Sequence, residues 1–385
     1  MHNTLLLVIV IVVAVSFDFT NGFHDTANAM ATSIATGALK PRVAVALSGV
    51  LNLVGAFLSV SVAATIASGI LDASKVTLPI IFAGLLGAIA WNVATWWFGL
   101  PSSSSHALIG GVIGAGIVGA GWSAIEGSTI LSKVVIPAVL SPFIAGIVAG
   151  VATFIAYRVS RSKDERRDEN SKRTFRYGQL LSASLVSLAH GTNDAQKTMG
   201  IVTLALITDH HLPTDAKPPF WVIFMCGLAI ASGTYLGGWR VIRTLGHRLT
   251  DIETPQGFAA ETASAAVLLI STHGGAPLST TQITTGSVLG SGLGRRAAGV
   301  RWGVAGQLVS AWILTIPAAA CVAALIGLVT HNGNTVGIVV VTIVAAALLF
   351  AVWLKSRADP VNADNVNDVN AGKPARDAAL SGAAA

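Results

Sequence analysis

Residues 16–33 read "SFDFTNGFHDTANAMATS" and follow a run made almost entirely of Leu, Val, Ile and Ala. The stretch sets Asp18, His24 and Asp25, with Asn21 and Asn28, inside a segment otherwise apolar enough to leave water. An aspartate at mid-span costs on the order of 2.5–3.5 kcal/mol unless it is paired or faces a water-lined cavity. Residues 187–200, "SLAHGTNDAQKTMG", repeat the arrangement in altered form. Acids placed twice in greasy surroundings point to a function that needs them there.

The rest of the chain fits that setting. Of 385 residues, 53% are hydrophobic and 11% charged, against about 25% charged in soluble domains. Apolar runs long enough to cross about 30 Å of hydrocarbon recur along most of the length. Forty glycines suit the close interfaces of packed membrane helices. The net charge of +6 sits in short loops between apolar runs, which reads as membrane topology and excludes a nucleic-acid patch. The two cysteines, Cys226 and Cys321, lie in apolar runs and are expected as free thiols. No Lys or Arg precedes the first apolar run, so a cleavable signal peptide is not expected.

Hydropathy predicts spans near 4–37, 43–67, 76–98, 101–121, 134–157, 178–208, 218–239, 257–273, 276–293, 302–330 and 335–354. The first and sixth are expected to be interrupted at their polar clusters. The expected class is an all-α polytopic membrane protein of about 10–12 transmembrane helices. Segments 101–121 and 276–293 are short and read as spans or as re-entrant hairpins. The division is an N-terminal repeat, 1–157; a charged loop, 158–176; a C-terminal repeat, 177–330; an additional helix, 331–355; and a tail, 356–385. The charged loop carries eight basic and four acidic side chains, which makes it cytoplasmic by the positive-inside rule. Counting outward places Lys40, Arg42, Arg240, Arg243, Arg248, Arg295, Arg296, Arg301, Lys355 and Arg357 on that same side. The tail is expected to be cytoplasmic and disordered.

That count starts the two halves from opposite sides, and two motif pairs align them. Gly22-Phe23-His24-Asp25 falls on Gly191-Thr192-Asn193-Asp194 at an offset of 169, with Met30 on Met199. "PSSSSHALIGGVIG" at 101–114 falls on "PLSTTQITTGSVLG" at 277–290 at an offset of 176. Inverted repeats with polar, interrupted helices are the build of a secondary transporter whose substrate binds near the midplane. Gly22 and Gly191 are expected to let the backbone unwind. Asp25 and Asp194 would then start second half-helices whose positive ends face an anion. The proline-led triplets Ser103, Ser104, Ser105 and Ser279, Thr280, Thr281 offer hydroxyl donors without adding charge. So many donors suit a tetrahedral oxyanion better than a halide.

"NGFHDTANA", "HGTNDAQK" and the two P-x-S-[ST]-[ST]-[HQ] motifs resemble the signatures of the inorganic phosphate transporter (PiT) family, across roughly residues 1–355. The resemblance implies a secondary carrier of phosphate, coupled to sodium or protons, in the bacterial inner membrane; some relatives carry sulfate. Two departures from the family's sodium-coupled G-A-N-D-V-A-N-A pattern stand out. His24 replaces an Asn in the first copy, and Lys197 replaces the last Asn of the second, where the first copy has Asn28. An ammonium cannot share a sodium shell, so the variant resembles the family's proton-coupled bacterial branch.

The expected substrate contacts are therefore Asp25, Asn28, Ser103, Ser104, Ser105, Asp194, Lys197, Ser279, Thr280 and Thr281. Hydrogen phosphate beside two ionised aspartates would gather about four negative charges in a low-dielectric pocket, so cations must enter with it. The expected ion-coupling groups are His24, Asp25, Asp194 and Glu261, the last also readable as a headgroup-level carboxylate. Asp18 has Ser187 as its counterpart and reads either as a second proton site or as a partner of some neighbour. His106 and His190 read as hydrogen-bonding histidines. No dedicated metal-ligand cluster and no resident cofactor are expected, although a divalent metal could travel with phosphate. The expected partners are phosphate and membrane lipid, with no nucleic acid; whether a homodimer forms stays open. An intramembrane Ser/His hydrolase is disfavoured, because adjacent Ser and His do not face each other on a helix and no G-x-S-x-G elbow is present. A channel is disfavoured by carboxylates bracketing a closed anion site.

Overall fold

The computed structural model describes residues 2–69, 74–160, 165–295, 299–330, 333–358 and 360–368. Arg296 and residues 161–164 of the charged loop lie outside them. The described chain is helical: α1 (His2–Ala35), α2 (Pro41–Ala56), α3 (Ser61–Gly69), α4 (Leu78–Trp97), α5 (Ser104–Ala120), α6 (Gly127–Ile130) and α7 (Ile136–Ser160). There follow α8 (Glu165–Thr208), α9 (Phe220–Leu236), α10 (Trp239–Arg243), α11 (Thr254–His273), α12 (Thr280–Gly294), α13 (Trp302–Thr330) and α14 (Thr335–Ser356). A π turn, Leu131–Val135, joins α6 to α7 just ahead of Pro137, which has no N–H for a regular helical bond.

Five of these stretches are long and apolar enough to cross a membrane alone among the described residues: 4–35, 78–97, 127–159, 302–330 and 335–356. Two bent pairs, α2 with α3 (72°) and α9 with the α10 segment (60°), would bring the number to seven. The remaining helices are short or carry many polar side chains, and together with α1 and α4 they build the interior.

Helix packing comes in exchanged pairs. Helix α1 packs on α9 while α8 packs on α2; α5 packs on α13 while α12 packs on α7; α4 packs on α13 while α11 packs on α7. Neither short segment folds into a hairpin of its own: α5 and α12 each run as one helix and pack on the helix before them, α4 and α11, after a connection that holds a glycine of positive φ, Gly99 (65°) and Gly275 (67°). These two glycines are themselves 176 positions apart, the offset of the proline motifs.

The first and sixth spans are not interrupted. Both α1 and α8 run as continuous helices through their motifs. Gly22 and Gly191 serve close crossing instead of unwinding. A Cβ at Gly22 would run into the Ile230 carbonyl of α9, and one at Gly191 into Asn52 of α2. Without side chains there, backbones approach closely enough to pack as small-residue membrane interfaces do.

Basic residues of the separate counted loops gather at one end. Arg42 pairs with Asp364 at 2.9 Å, Arg301 with Asp251 at 2.8 Å and Arg295 with Glu253 at 2.6 Å. Arg240 and Lys355 both stack over Trp97. Residues 360–368 of the tail are ordered at this same end, contrary to the expectation of disorder for that part. Arg243 donates to the Asn365 carbonyl (2.8 Å), His247 Nε2 lies 2.9 Å from Asn367 Oδ1, and Val366 is fully buried. The apolar Val366 and the asparagine turn, with Asn362 Oδ1 accepting from Asp364 N, give this stretch a docked form that composition alone did not suggest.

Candidate functional site

The two motif helices, α1 and α8, meet the starts of α5 and α12 inside the protein. Ser103 and Ser279 are the N-caps of those two helices. Their hydroxyls accept from the backbone N–H of His106 (3.2 Å) and Gln282 (3.3 Å). Such a cap satisfies one donor of the first turn and leaves others free. Helix α5 thus begins at Ser104 and α12 at Thr280, so Pro101 and Pro277 lie in the linkers and not in the first turn. The positive helix ends expected from broken α1 and α8 are supplied by α5 and α12, whose first turns are buried.

The rest of each triplet touches the acids. Ser104 Oγ donates to Asp25 Oδ1 at 3.1 Å. Thr280 Oγ1 lies between both carboxylates, 3.4 Å from Asp25 Oδ2 and 3.2 Å from Asp194 Oδ2. Asn28 Nδ2 reaches Thr280 Oγ1 (3.3 Å) and Thr281 Oγ1 (3.0 Å). One threonine hydroxyl therefore joins the two mirrored acids, and all these groups are buried.

Each acid has a basic neighbour on its own helix. His24 Nδ1 is 2.6 Å from Asp25 Oδ1, and its Nε2 is 3.1 Å from Thr95 Oγ1 of α4. Lys197 pairs with Asp194 one turn away, and also donates to Ser105 Oγ (2.5 Å) and to the Leu278 carbonyl (3.1 Å). All three ammonium donors are used, on three separate elements. The two motifs are chemically unequal, with Lys197 in one where the other has Asn28.

Three further residues lie at the site: His190, already read as a hydrogen-bonding histidine, and Asn52 and Thr234, which the sequence did not single out. His190 Nε2 lies 3.2 Å from Asp194 Oδ2, one turn earlier on α8; the i,i+4 spacing in "HGTND" was the available signal. Its Nδ1 lies 3.2 Å from Asn52 Oδ1, and Asn52 Nδ2 donates to Thr234 Oγ1 at 2.8 Å. Thr234 in turn reaches the Gly22 carbonyl at 3.3 Å, so a polar chain links the two motif helices through α2 and α9. Asn52 and Thr234 had no sequence signal, since single polar residues in spans are common. Ligand atoms of Asp25, His190 and Asp194 all lie within 4.8 Å of one another, a grouping the sequence reading did not anticipate.

Glu261 stands apart from this cluster. It is buried and accepts from Ser33 Oγ (2.6 Å), Ser182 Oγ (2.6 Å), Thr32 Oγ1 (2.5 Å) and Gln179 Nε2 (3.3 Å). It ties α11 to both motif helices without touching the paired aspartates.

The model of the PHO4 phosphate transporter family matches residues 21–323. The chain belongs to that family. The match opens at the first polar motif and closes within α13, so it takes in every element of the site. A "probable low-affinity inorganic phosphate transporter" of Mycobacterium tuberculosis H37Rv is 58% identical over 368 residues, covering 94% of this chain and 87% of that one. Proteins of the same description from Rhizobium meliloti (46% identical) and Bacillus subtilis (43%) each align with 83% of the chain and with 95% and 96% of their own. A solved structure described as the sodium-dependent phosphate transporter shares the fold at a TM-score of 0.76 and 24% identity, over 84% of this chain and 98% of that one. The family and these relatives are transporters, and the hydrolase reading falls with that. As a PHO4 member with several apolar spans, the chain is an integral, multi-pass membrane protein.

Proposed function

We propose that this PHO4 member imports inorganic phosphate across the bacterial inner membrane by symport with protons, using no resident cofactor. The observation that supports it most is the joint of Asp25, Thr280 and Asp194, with Lys197 drawn to one side of it. Two helix starts and their hydroxyls give donors for a tetrahedral anion; the acids beside them make an unaccompanied anion unstable. Exchanged helix pairing between the halves is what inverted repeats produce, and it suits alternating access around a central site.

Inward movement of an anion against an inside-negative potential costs about 2.3 kcal/mol per charge per 100 mV, so net uptake needs cations. Lys197 favours protons over sodium. It fills its coordination with Asp194, Ser105 and Leu278 and leaves no oxygen shell for sodium at that place. The grouping of Asp25, His190 and Asp194 favours a second form of the cargo, phosphate carried with a divalent metal as a neutral complex. Sulfate is the competing anion within the family.

Reconstitution into liposomes tests the reading. Labelled phosphate should accumulate under an imposed pH gradient and not under a sodium gradient alone, with sulfate a weak competitor. Equal uptake under every cation condition would defeat it. Uptake that depends strictly on added magnesium or another divalent ion would identify the metal complex as the cargo.

A further inference from the structure

Four acids lie buried in the described spans, and three of them have partners. Asp25 has His24, Ser104 and Thr280; Asp194 has Lys197, His190 and Thr280; Glu261 has four donors. Asp18 is fully buried, and neither of its carboxylate oxygens has a full hydrogen-bond partner, the Thr198 hydroxyl beside it falling short of bonding geometry. The sequence alternative that it pairs with a neighbour in a broken helix is not met, since α1 is unbroken and the partner is missing.

Its position closes the usual escape. Asp18 stands at the middle of the 34-residue α1, about 24 Å from the nearer helix end at about 1.5 Å per residue. A side chain that far from both ends cannot reach headgroups. An ionised carboxylate without donors is prohibitively unstable there, so the group must be held neutral by a proton or matched by a cation.

The groups facing it are few. From α8 come Asp194, Lys197 and Thr198, and from α9 comes Cys226. Phe17, Met199 and Cys226 belong to the apolar cluster around it. The nearby ammonium and the apolar walls disfavour a metal ion, whereas a proton needs neither space nor a shell of oxygens. Asp18, Asn21 and Asp25 are spaced i, i+3 and i+7, one face of α1, so this position is in line with the phosphate site. Asn21 Oδ1 between them is also buried and unpartnered.

We propose that Asp18 is a proton-carrying site of the transport cycle, separate from the phosphate pocket. It takes a proton from water on one side and returns it to water on the other, with no other bond made or broken. Lys197 links it to the cargo. Among the described residues it is the one cation within electrostatic reach of Asp18, so it alone could hold the ionised form. Phosphate bound beside Lys197 offsets the charge of that ammonium and keeps Asp18 protonated, which makes anion and proton travel together.

The inference rests on proton symport, and its test separates the two. Full-length wild type and Asp18→Asn are reconstituted in liposomes. Exchange of labelled phosphate at equal pH is compared with accumulation driven by a pH difference. One pH unit supports about tenfold accumulation per proton carried. Wild type should reach that order, while Asp18→Asn should keep exchange, lose accumulation and lose the pH dependence of uptake. Asp18→Glu should restore accumulation with a displaced pH profile. If wild type fails to accumulate under the pH gradient, proton symport and this inference fail together. If wild type accumulates and Asp18→Asn does so with the same profile, the inference alone is overturned. Loss of exchange in step with accumulation would mark a structural role and overturn it too. Should Asp18→Asn not insert, an Asp18→Glu profile identical to wild type is the overturning result.

Discussion

Replacing Lys197 with Asn tests the claim that a tethered ammonium takes the place of a transported cation. Lys197 is 1% exposed and holds Asp194, Ser105 and the Leu278 carbonyl at once. Removing one member of a buried ion pair typically destabilises by about 3–5 kcal/mol, because the remaining charge is left uncompensated. Asparagine brings a neutral carbonyl oxygen beside the Asp194 carboxylate, as Asn28 does in the other half. That set of oxygens suits sodium. A ligand at a hundred times its dissociation constant returns about 2.7 kcal/mol, most of the smaller figure. The assay is thermal unfolding of the purified protein in sodium chloride and in choline chloride, paired with phosphate uptake in the same salts. The variant should unfold earlier than wild type in choline, recover a large part of the loss in sodium, and show sodium-stimulated uptake. Wild type should be indifferent to the exchange of salts. A variant with wild-type stability, rate and ion dependence would refute the reasoning.

Asp25→Asn and Asp194→Asn should each abolish phosphate accumulation while the protein still inserts, because each removes a carboxylate joined through Thr280; normal uptake in either frees that residue from the mechanism. Glu261→Gln should impair transport, since its amide nitrogen would face the hydroxyl proton of either Ser33 or Ser182, which donate to different carboxylate oxygens; unchanged uptake would make the carboxylate dispensable. Gly22→Leu should fail to fold or insert, judged by expression and detergent stability, because the Ile230 backbone already fills the space of a Cβ. Val366→Asp should release the docked stretch at the basic end, read as new protease cleavage near residues 358–368, whereas Asp364→Ala should not. The Arg42–Asp364 pair is about three-quarters exposed and holds little, under about 1 kcal/mol.

Several features of the site were legible because they depend on composition and spacing alone. Charge placement between apolar runs led to topology, and the arginines of separate loops do meet at one end. The proline motifs marked two matching helix starts, and glycines at the same offset lead into both. Asp25, Asp194, Lys197 and the inner hydroxyls of each triplet converge as read. What misled was glycine, which signals unwinding and close packing equally well. Only the neighbour across the interface distinguishes them, and Ile230 and Asn52 belong to helices far away in the chain. The tail's docked stretch was missed for a similar reason, as polar composition says nothing about a single buried valine.

Residue order alone was enough to show that this chain lives in a membrane and that its acids and hydroxyls recur in two similar sets of motifs. Those are properties of periodicity and residue type, which survive without knowing what touches what. The tertiary structure decided which helix ends face the site, which hydroxyls cap and which reach the acids, and that Asp18 is left without a partner. Satisfaction of a buried polar group is a property of its surroundings, and those are assembled from segments that the linear order keeps apart.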